Sequence, residues 1–202
     1  AQLSGNPVRR EIAALAEPRE RYAARTGRLK LLVLGGSQGA KALNELVPQA
    51  LARLPAEQRP ELTHQSGAKH IEALRAAYAA AGVPAKTVAF IDDIAQCYGE
   101  ADVVVCRAGA LTVAELASAG VASILVPFPH AVDDHQTTNA KFLSARDAAI
   151  LLPQSELSAQ RLAELLSGLT RERLLEMAEK ARALGKPDAT EAVAQACMEL
   201  AQ

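Results

Sequence analysis

The chemistry in this chain starts at Arg107-Ala108-Gly109-Ala110-Leu111-Thr112, which follows an apolar run ending at Cys106 and opens a helical pattern. That spacing predicts Ala110, Leu111 and Thr112 in a first helical turn, where unpaired N–H groups can receive a diphosphate. Glu115, about one turn further on, carries a carboxylate to the same face, a group able to accept from both hydroxyls of a ribose. The same two residues also read as plain capping, with Thr112 as N-cap and Glu115 three positions beyond it. A second glycine turn, Gly35-Gly36-Ser37-Gln38-Gly39, lets the backbone approach a phosphate, and Ser37 adds a hydroxyl donor. It is neither a GxGxxG fingerprint nor a GxxxxGK[ST] loop, since Lys41 falls at the wrong place. Taken alone, it serves equally well as a tight strand-to-helix turn that binds nothing.

Two further stretches end at the same expected edge. Val126-Pro127-Phe128-Pro129-His130-Ala131-Val132-Asp133-Asp134-His135-Gln136 concentrates polar groups before a helix, and His135 and Gln136 can exchange hydrogen bonds with sugar hydroxyls. A metal site from His130, Asp133, Asp134 and His135 has the right ligand types but no recognisable ligand spacing, so no metal is expected. The two aspartates also suit capping of the helix that follows. Phe90-Ile91-Asp92-Asp93 closes another strand pattern, where a flat base could pack and read the backbone at Ile91.

These turns need elements to hold them. Leu29–Leu34, Leu62–Gln65, Val88–Ile91, Asp102–Cys106, Ser123–Val126 and Ala149–Leu152 read as short strands. Between them, helical spacing runs over Ala40–Leu54, Ala68–Ala81, Ile94–Tyr98, Leu111–Ala119 and Asn139–Ala145. From Ser158 onward the pattern is helical, with breaks near Gly168 and Gly185-Lys186-Pro187. Strands alternating with helices imply βαβ units and a parallel sheet, an open, doubly wound α/β domain of Rossmann-like type. Ligands of such sheets sit beyond the carboxyl ends of the strands. Residues 1–27 read as a linker leading into a domain at 28–202, with Ala1–Arg9 extended as if another domain preceded it.

Composition narrows the class. Half of the 202 residues are hydrophobic but only 3% aromatic, and small aliphatic side chains suit helices packed closely on a sheet. With 22 basic and 23 acidic residues, the net charge of −1 gives no reason to expect nucleic acid. Cys97, Cys106 and Cys197 are far apart and odd in number, which suits free thiols in a cytoplasmic protein. No apolar run approaches the roughly 18 residues of a membrane span.

Five stretches occur together in one order: Gly5-Asn6-Pro7-Val8-Arg9, Gly35–Gly39, Phe90–Asp93, Arg107–Glu115 and Asp134-His135-Gln136-Thr137-Thr138-Asn139-Ala140. In this the chain resembles the GlcNAc transferases of bacterial peptidoglycan synthesis, over its whole length but only over the carboxyl-terminal half of such an enzyme. The resemblance implies one half of a GT-B fold, two Rossmann-like domains across a cleft, which moves GlcNAc from UDP-GlcNAc to lipid I and makes lipid II with inversion. By position it implies that Arg9 and Ser37 contact the donor, Ser37 on the diphosphate, and that the backbone of Ile91 reads uracil. Ala110, Leu111 and Thr112 would hold phosphate and sugar, Glu115 the ribose, and His135 and Gln136 the GlcNAc hydroxyls. It implies no cofactor, no metal and no catalytic residue in this chain. The base, the acceptor site and peripheral contact with the cytoplasmic face of the inner membrane would belong to an amino-terminal domain not in this sequence. The chain alone is then expected to bind donor weakly and not turn it over. Other readings are another GT-B UDP-sugar enzyme such as an epimerase, or a noncatalytic donor-binding subunit of a two-chain transferase. An NAD-dependent protein is disfavoured by the missing fingerprint.

Overall fold

The apolar runs become strands covered on both faces. Alternate residues of β1 (Lys30–Leu34) and β4 (Val103–Cys106) enter two separate cores. Leu31, Val33, Val103 and Val105 join one, and Leu32, Val104 and Cys106 the other. That is why these runs show no polar alternation. In the computed structural model, which describes residues 4–36, 40–129 and 134–200, β1 and β4 lie at the centre of a six-stranded sheet. The others are β2 (Glu61–Gln65), β3 (Lys86–Val88), β5 (Ala122–Leu125) and β6 (Ile150–Leu151). All pairings are parallel and the order is β3-β2-β1-β4-β5-β6. The winding direction reverses between β1 and β4, which opens a crevice at their carboxyl ends.

Helices α3 (Lys41–Ala52), α4 (Ile71–Ala81), α8 (Ala159–Ser167) and α9 (Arg171–Leu184) cover the first core. Helices α5 (Ile94–Glu100), α6 (Ala110–Ala119) and α7 (His135–Ser144) cover the second. The expected helices over 40–54, 68–81, 111–119 and beyond 158 thus form within a few residues of the sequence reading, the last segment also giving α10 (Ala189–Leu200). Gly82 and Gly120 end α4 and α6 in the left-handed conformation, as stop signals should.

The strand expected over Val88–Ile91 is displaced. Pairing stops at Val88, whose carbonyl accepts from the Ser66 N–H at 3.0 Å. The next carbonyl, of Ala89, is taken by the Gln65 side chain at 3.0 Å, so the chain leaves the sheet there. Phe90 and Ile91 therefore stand beyond the strand and not within it.

Residues 1–27 were read as a linker, and within the described part they carry two short helices, α1 (Arg10–Ala13) and α2 (Pro18–Ala23). Ile12 is fully buried in the second core and Tyr22 is buried in the first. No helix among the described residues is long and apolar enough to cross a membrane.

Candidate functional site

The crevice between β1 and β4 is a cleft of about 210 Å³. Its walls include Gly35 and Gly36 after β1, Gln65 at the end of β2, Ile91 after β3, Arg107 after β4, and Thr112 and Glu115 of α6. Arg9 reaches it from the segment before α1. Beside it, sharing Gly35 and Arg107, lies a larger opening of about 700 Å³ bordered by Phe128 and Gln136. The two have the size and position of a ligand site in a doubly wound sheet.

Helix α6 begins at Ala110, with Gly109 as an N-cap that supplies no side-chain hydrogen bond. Ala110, Leu111 and Thr112 are its first three residues, as expected, and the first intrahelical bond is Val113 N–H to the Gly109 carbonyl. Their N–H groups and the helix dipole make this end attractive to an anion. The capping alternative fails: Thr112 is the third helical residue, and Glu115 lies in the second turn, not opposite an N-cap. Asn139 of α7 donates to the Ala108 carbonyl at 3.0 Å and fixes the approach to the helix.

Glu115 is held from two sides. Arg9 donates to its Oε1 from Nε at 3.2 Å and lies 3.1 Å away through Nη2. Tyr98 donates to Oε2 at 3.3 Å. Burial, then the neighbouring Glu115 charge, pushes the Tyr98 phenol well above its ordinary value, so it remains a donor. Arg107 is half-buried and sits over the Phe128 ring at 5.4 Å. Its guanidinium donates to the Val126 and Pro127 carbonyls at 3.2 and 3.1 Å. Burial lowers its pKa, and with an ordinary value near 12.5 it still supplies a cation between the two openings.

The glycines of the first turn have structural reasons of their own. A Cβ on Gly35 would stand 2.8 Å from the Gln65 carbonyl, and Gly36 has φ +72°. The turn alone therefore argues little for phosphate, and α6 carries that case. Gln65, which the sequence reading did not single out, pins the turn. Its carboxamide accepts from Gly36 N–H at 2.9 Å and donates to the Gly36 and Ala89 carbonyls. One side chain thus joins the first glycine turn to the segment leading to Ile91.

Ser37 lies outside the described residues, as do His130 and Asp133. Among the described residues no cluster of three or more histidine, cysteine or acidic side chains could hold a metal. His135 is exposed at the first position of α7. Gln136 borders the larger opening, and its Oε1 accepts from Phe128 N–H at 2.9 Å. Asp134 stands at the N-cap but does not cap the backbone, because its carboxylate accepts from the Thr137 hydroxyl at 2.7 Å. Ala110 borders a separate cavity of about 360 Å³ behind α6, which gathers no other residue expected at the site.

Behind the first turn, His64 is buried between Tyr78 Oη at 2.7 Å and Asn44 Oδ1 at 3.1 Å. Asn44 Oδ1 can only accept, so Nε2 carries the proton and Tyr78 donates to Nδ1. Burial pulls this imidazole down to about 3 from 6.5. The native state therefore keeps it neutral while the unfolded chain takes up a proton below pH 6.5. Stability is unaffected above about pH 7 and falls from pH 6.5 toward 3, at roughly 1.4 kcal/mol per unit. Denaturant titrations should show about 2 kcal/mol lost by pH 5 from this group. That component should be missing in His64→Gln, whatever the variant's own stability.

Residues 30–193 match the family described as glycosyltransferase family 28 C-terminal domain. The UDP-N-acetylglucosamine--N-acetylmuramyl-(pentapeptide) pyrophosphoryl-undecaprenol N-acetylglucosamine transferase of Nitrosospira multiformis is 62% identical, over 99% of this chain and 56% of its own length. The protein of the same name from Aromatoleum aromaticum is 66% identical, over 98% and 55%. The crystal structure of Acinetobacter baumannii MurG superposes with a TM-score of 0.87 at 43% identity, covering 93% of this chain and 55% of that one. The chain thus spans a little over half the length of the relatives it matches.

Proposed function

We propose that this chain, which belongs to the glycosyltransferase family 28 C-terminal domain family, is the UDP-GlcNAc-binding half of an inverting GlcNAc transferase that makes lipid II from lipid I. The carrying observation is that Arg9, Ile91, Thr112 and Glu115, far apart in sequence, border one cleft beside the uncapped start of α6. The names of the relatives fit this donor and acceptor.

In this reading the uracil lies against the backbone at Ile91, and the ribose hydroxyls donate to Glu115. The diphosphate meets the N–H groups of Ala110, Leu111 and Thr112, with Ser37 across from them. Arg9 also contacts the donor, and His135 and Gln136 hold the GlcNAc hydroxyls. During transfer the acceptor hydroxyl attacks the anomeric carbon, the bond to the diphosphate breaks, and the electron pair leaves with UDP. The helix start and the Arg107 cation oppose the growing negative charge on that leaving group. We assign the base that takes the acceptor proton, the lipid site and peripheral membrane contact to the part of the relatives' length that this chain does not span.

Calorimetry with UDP-GlcNAc, UDP-glucose, GDP-mannose and NAD tests the assignment. UDP-GlcNAc should bind best, UDP-glucose more weakly, and the other two weakest of all. Equal binding of all four, or no binding of the UDP compounds, would contradict it. Transfer to a lipid acceptor by this chain alone should be undetectable, and measurable transfer would put the base within these residues.

A further inference from the structure

Tyr98 is buried to 1% exposure on α5, with its ring packed in the second core. A phenol at the end of a buried ring needs a partner, and a phenylalanine would fill the same space without one. The hydroxyl reaches the cleft and donates to Glu115 Oε2 at 3.3 Å. Arg9 contacts only Oε1 of the same carboxylate, and its side chain is 58% exposed against 14% for Glu115. The two partners therefore differ in kind. Arg9 is long and solvated and can yield an acceptor site to a ligand, whereas Tyr98 is locked by its surroundings.

A carboxylate has about four lone-pair sites. The two Arg9 contacts occupy Oε1, and Tyr98 occupies one site on Oε2. A vicinal diol needs two sites, so it can be accommodated if Arg9 moves and Tyr98 stays. Holding one oxygen also fixes the rotation of a flexible glutamate before the ligand arrives, which lowers the ordering cost of binding.

We propose that Tyr98 is a positioning residue that fixes the Glu115 carboxylate so that the cleft reads a ribose diol and selects ribo- over 2′-deoxyribonucleoside diphosphates. This rests on the assignment of Glu115 to the ribose made above.

The test is calorimetry of UDP and 2′-deoxyuridine diphosphate against wild type, Tyr98→Phe, Glu115→Ala and the double variant, with melting curves on each. Wild type should prefer UDP by about tenfold or more, the loss of one hydrogen bond to a charged group. Tyr98→Phe should cut that preference to within about threefold while changing 2′-deoxyuridine diphosphate affinity less than twofold. In the Glu115→Ala background, Tyr98→Phe should add nothing, because it acts through Glu115. An undiminished preference in Tyr98→Phe, or the same loss in both backgrounds, would overturn the positioning role. A wild-type protein that binds both nucleotides equally would instead overturn the ribose assignment, and this inference with it. Should Tyr98→Phe melt well below wild type, the double-variant comparison still decides, since a packing defect persists when Glu115 is absent.

Discussion

Glu115→Ala should weaken UDP binding by about 10- to 100-fold while leaving the fold intact. In the proposed complex the carboxylate accepts from two ribose hydroxyls, and a hydrogen bond to a charged group contributes about 1.5–3 kcal/mol. Part of that is offset, because Arg9 must give up contacts it makes to Oε1 in the free protein. A net 1.5–3 kcal/mol corresponds to the stated range, since about 1.4 kcal/mol is tenfold. The factor should be nearly the same for uridine and UDP, because the ribose is common to both. Titrating both ligands against both proteins checks this. A loss that appears only with the diphosphate would move Glu115 from the ribose to the phosphates, and no loss would remove it from the site.

The second large effect concerns the opposite edge of the sheet. Asp102 has no exposed side-chain surface, yet accepts from Arg25 Nη1 at 2.8 Å and from the Lys30 N–H at 2.7 Å. Arg171 Nη2 is 3.5 Å from the same carboxylate, and the Tyr22 hydroxyl donates to the Asp102 carbonyl at 2.7 Å. One residue thus ties the end of α2, the starts of β1 and β4, and the start of α9. Asp102→Ala leaves a nearly buried Arg25 guanidinium and a backbone N–H without their partner, at a cost of about 3–5 kcal/mol. For a chain of this size that is a melting-point drop on the order of 10 °C. Asp102→Asn keeps one acceptor and should lose less. Calorimetric melts of the two variants measure it, and a drop under about 2 °C for Asp102→Ala would mean the hub contributes little.

Much of the fold was legible because its physics is local. Leu31-Leu32-Val33 and Val103-Val104-Val105 are apolar at every position because both faces are covered, and Gly82 and Gly120 end helices through their own backbone freedom. The third strand was misplaced because its end is set by a distant amide. Nothing in Val88–Ile91 reveals that Gln65 takes the Ala89 carbonyl. The site divided in the same way. Ala110, Leu111 and Thr112 were readable from a glycine between a strand and a helix, and Glu115 from helical spacing. Tyr98 and Gln65 were missed because each acts across the fold on a backbone or side chain that sequence spacing does not bring near. The short helices of residues 10–23 escaped notice for a related reason, since Ile12 and Tyr22 are isolated apolar residues in a polar stretch.

The most direct measurement is an amide NMR titration of this chain with UDP-GlcNAc. The account predicts saturable shifts at Ile91, Ala110, Leu111 and Thr112, with Glu115→Ala moving the same signals at higher ligand concentration. Shifts confined to the cavity behind α6, around Val113, Phe142 and Leu184, or no saturable shift at the start of α6, would contradict it.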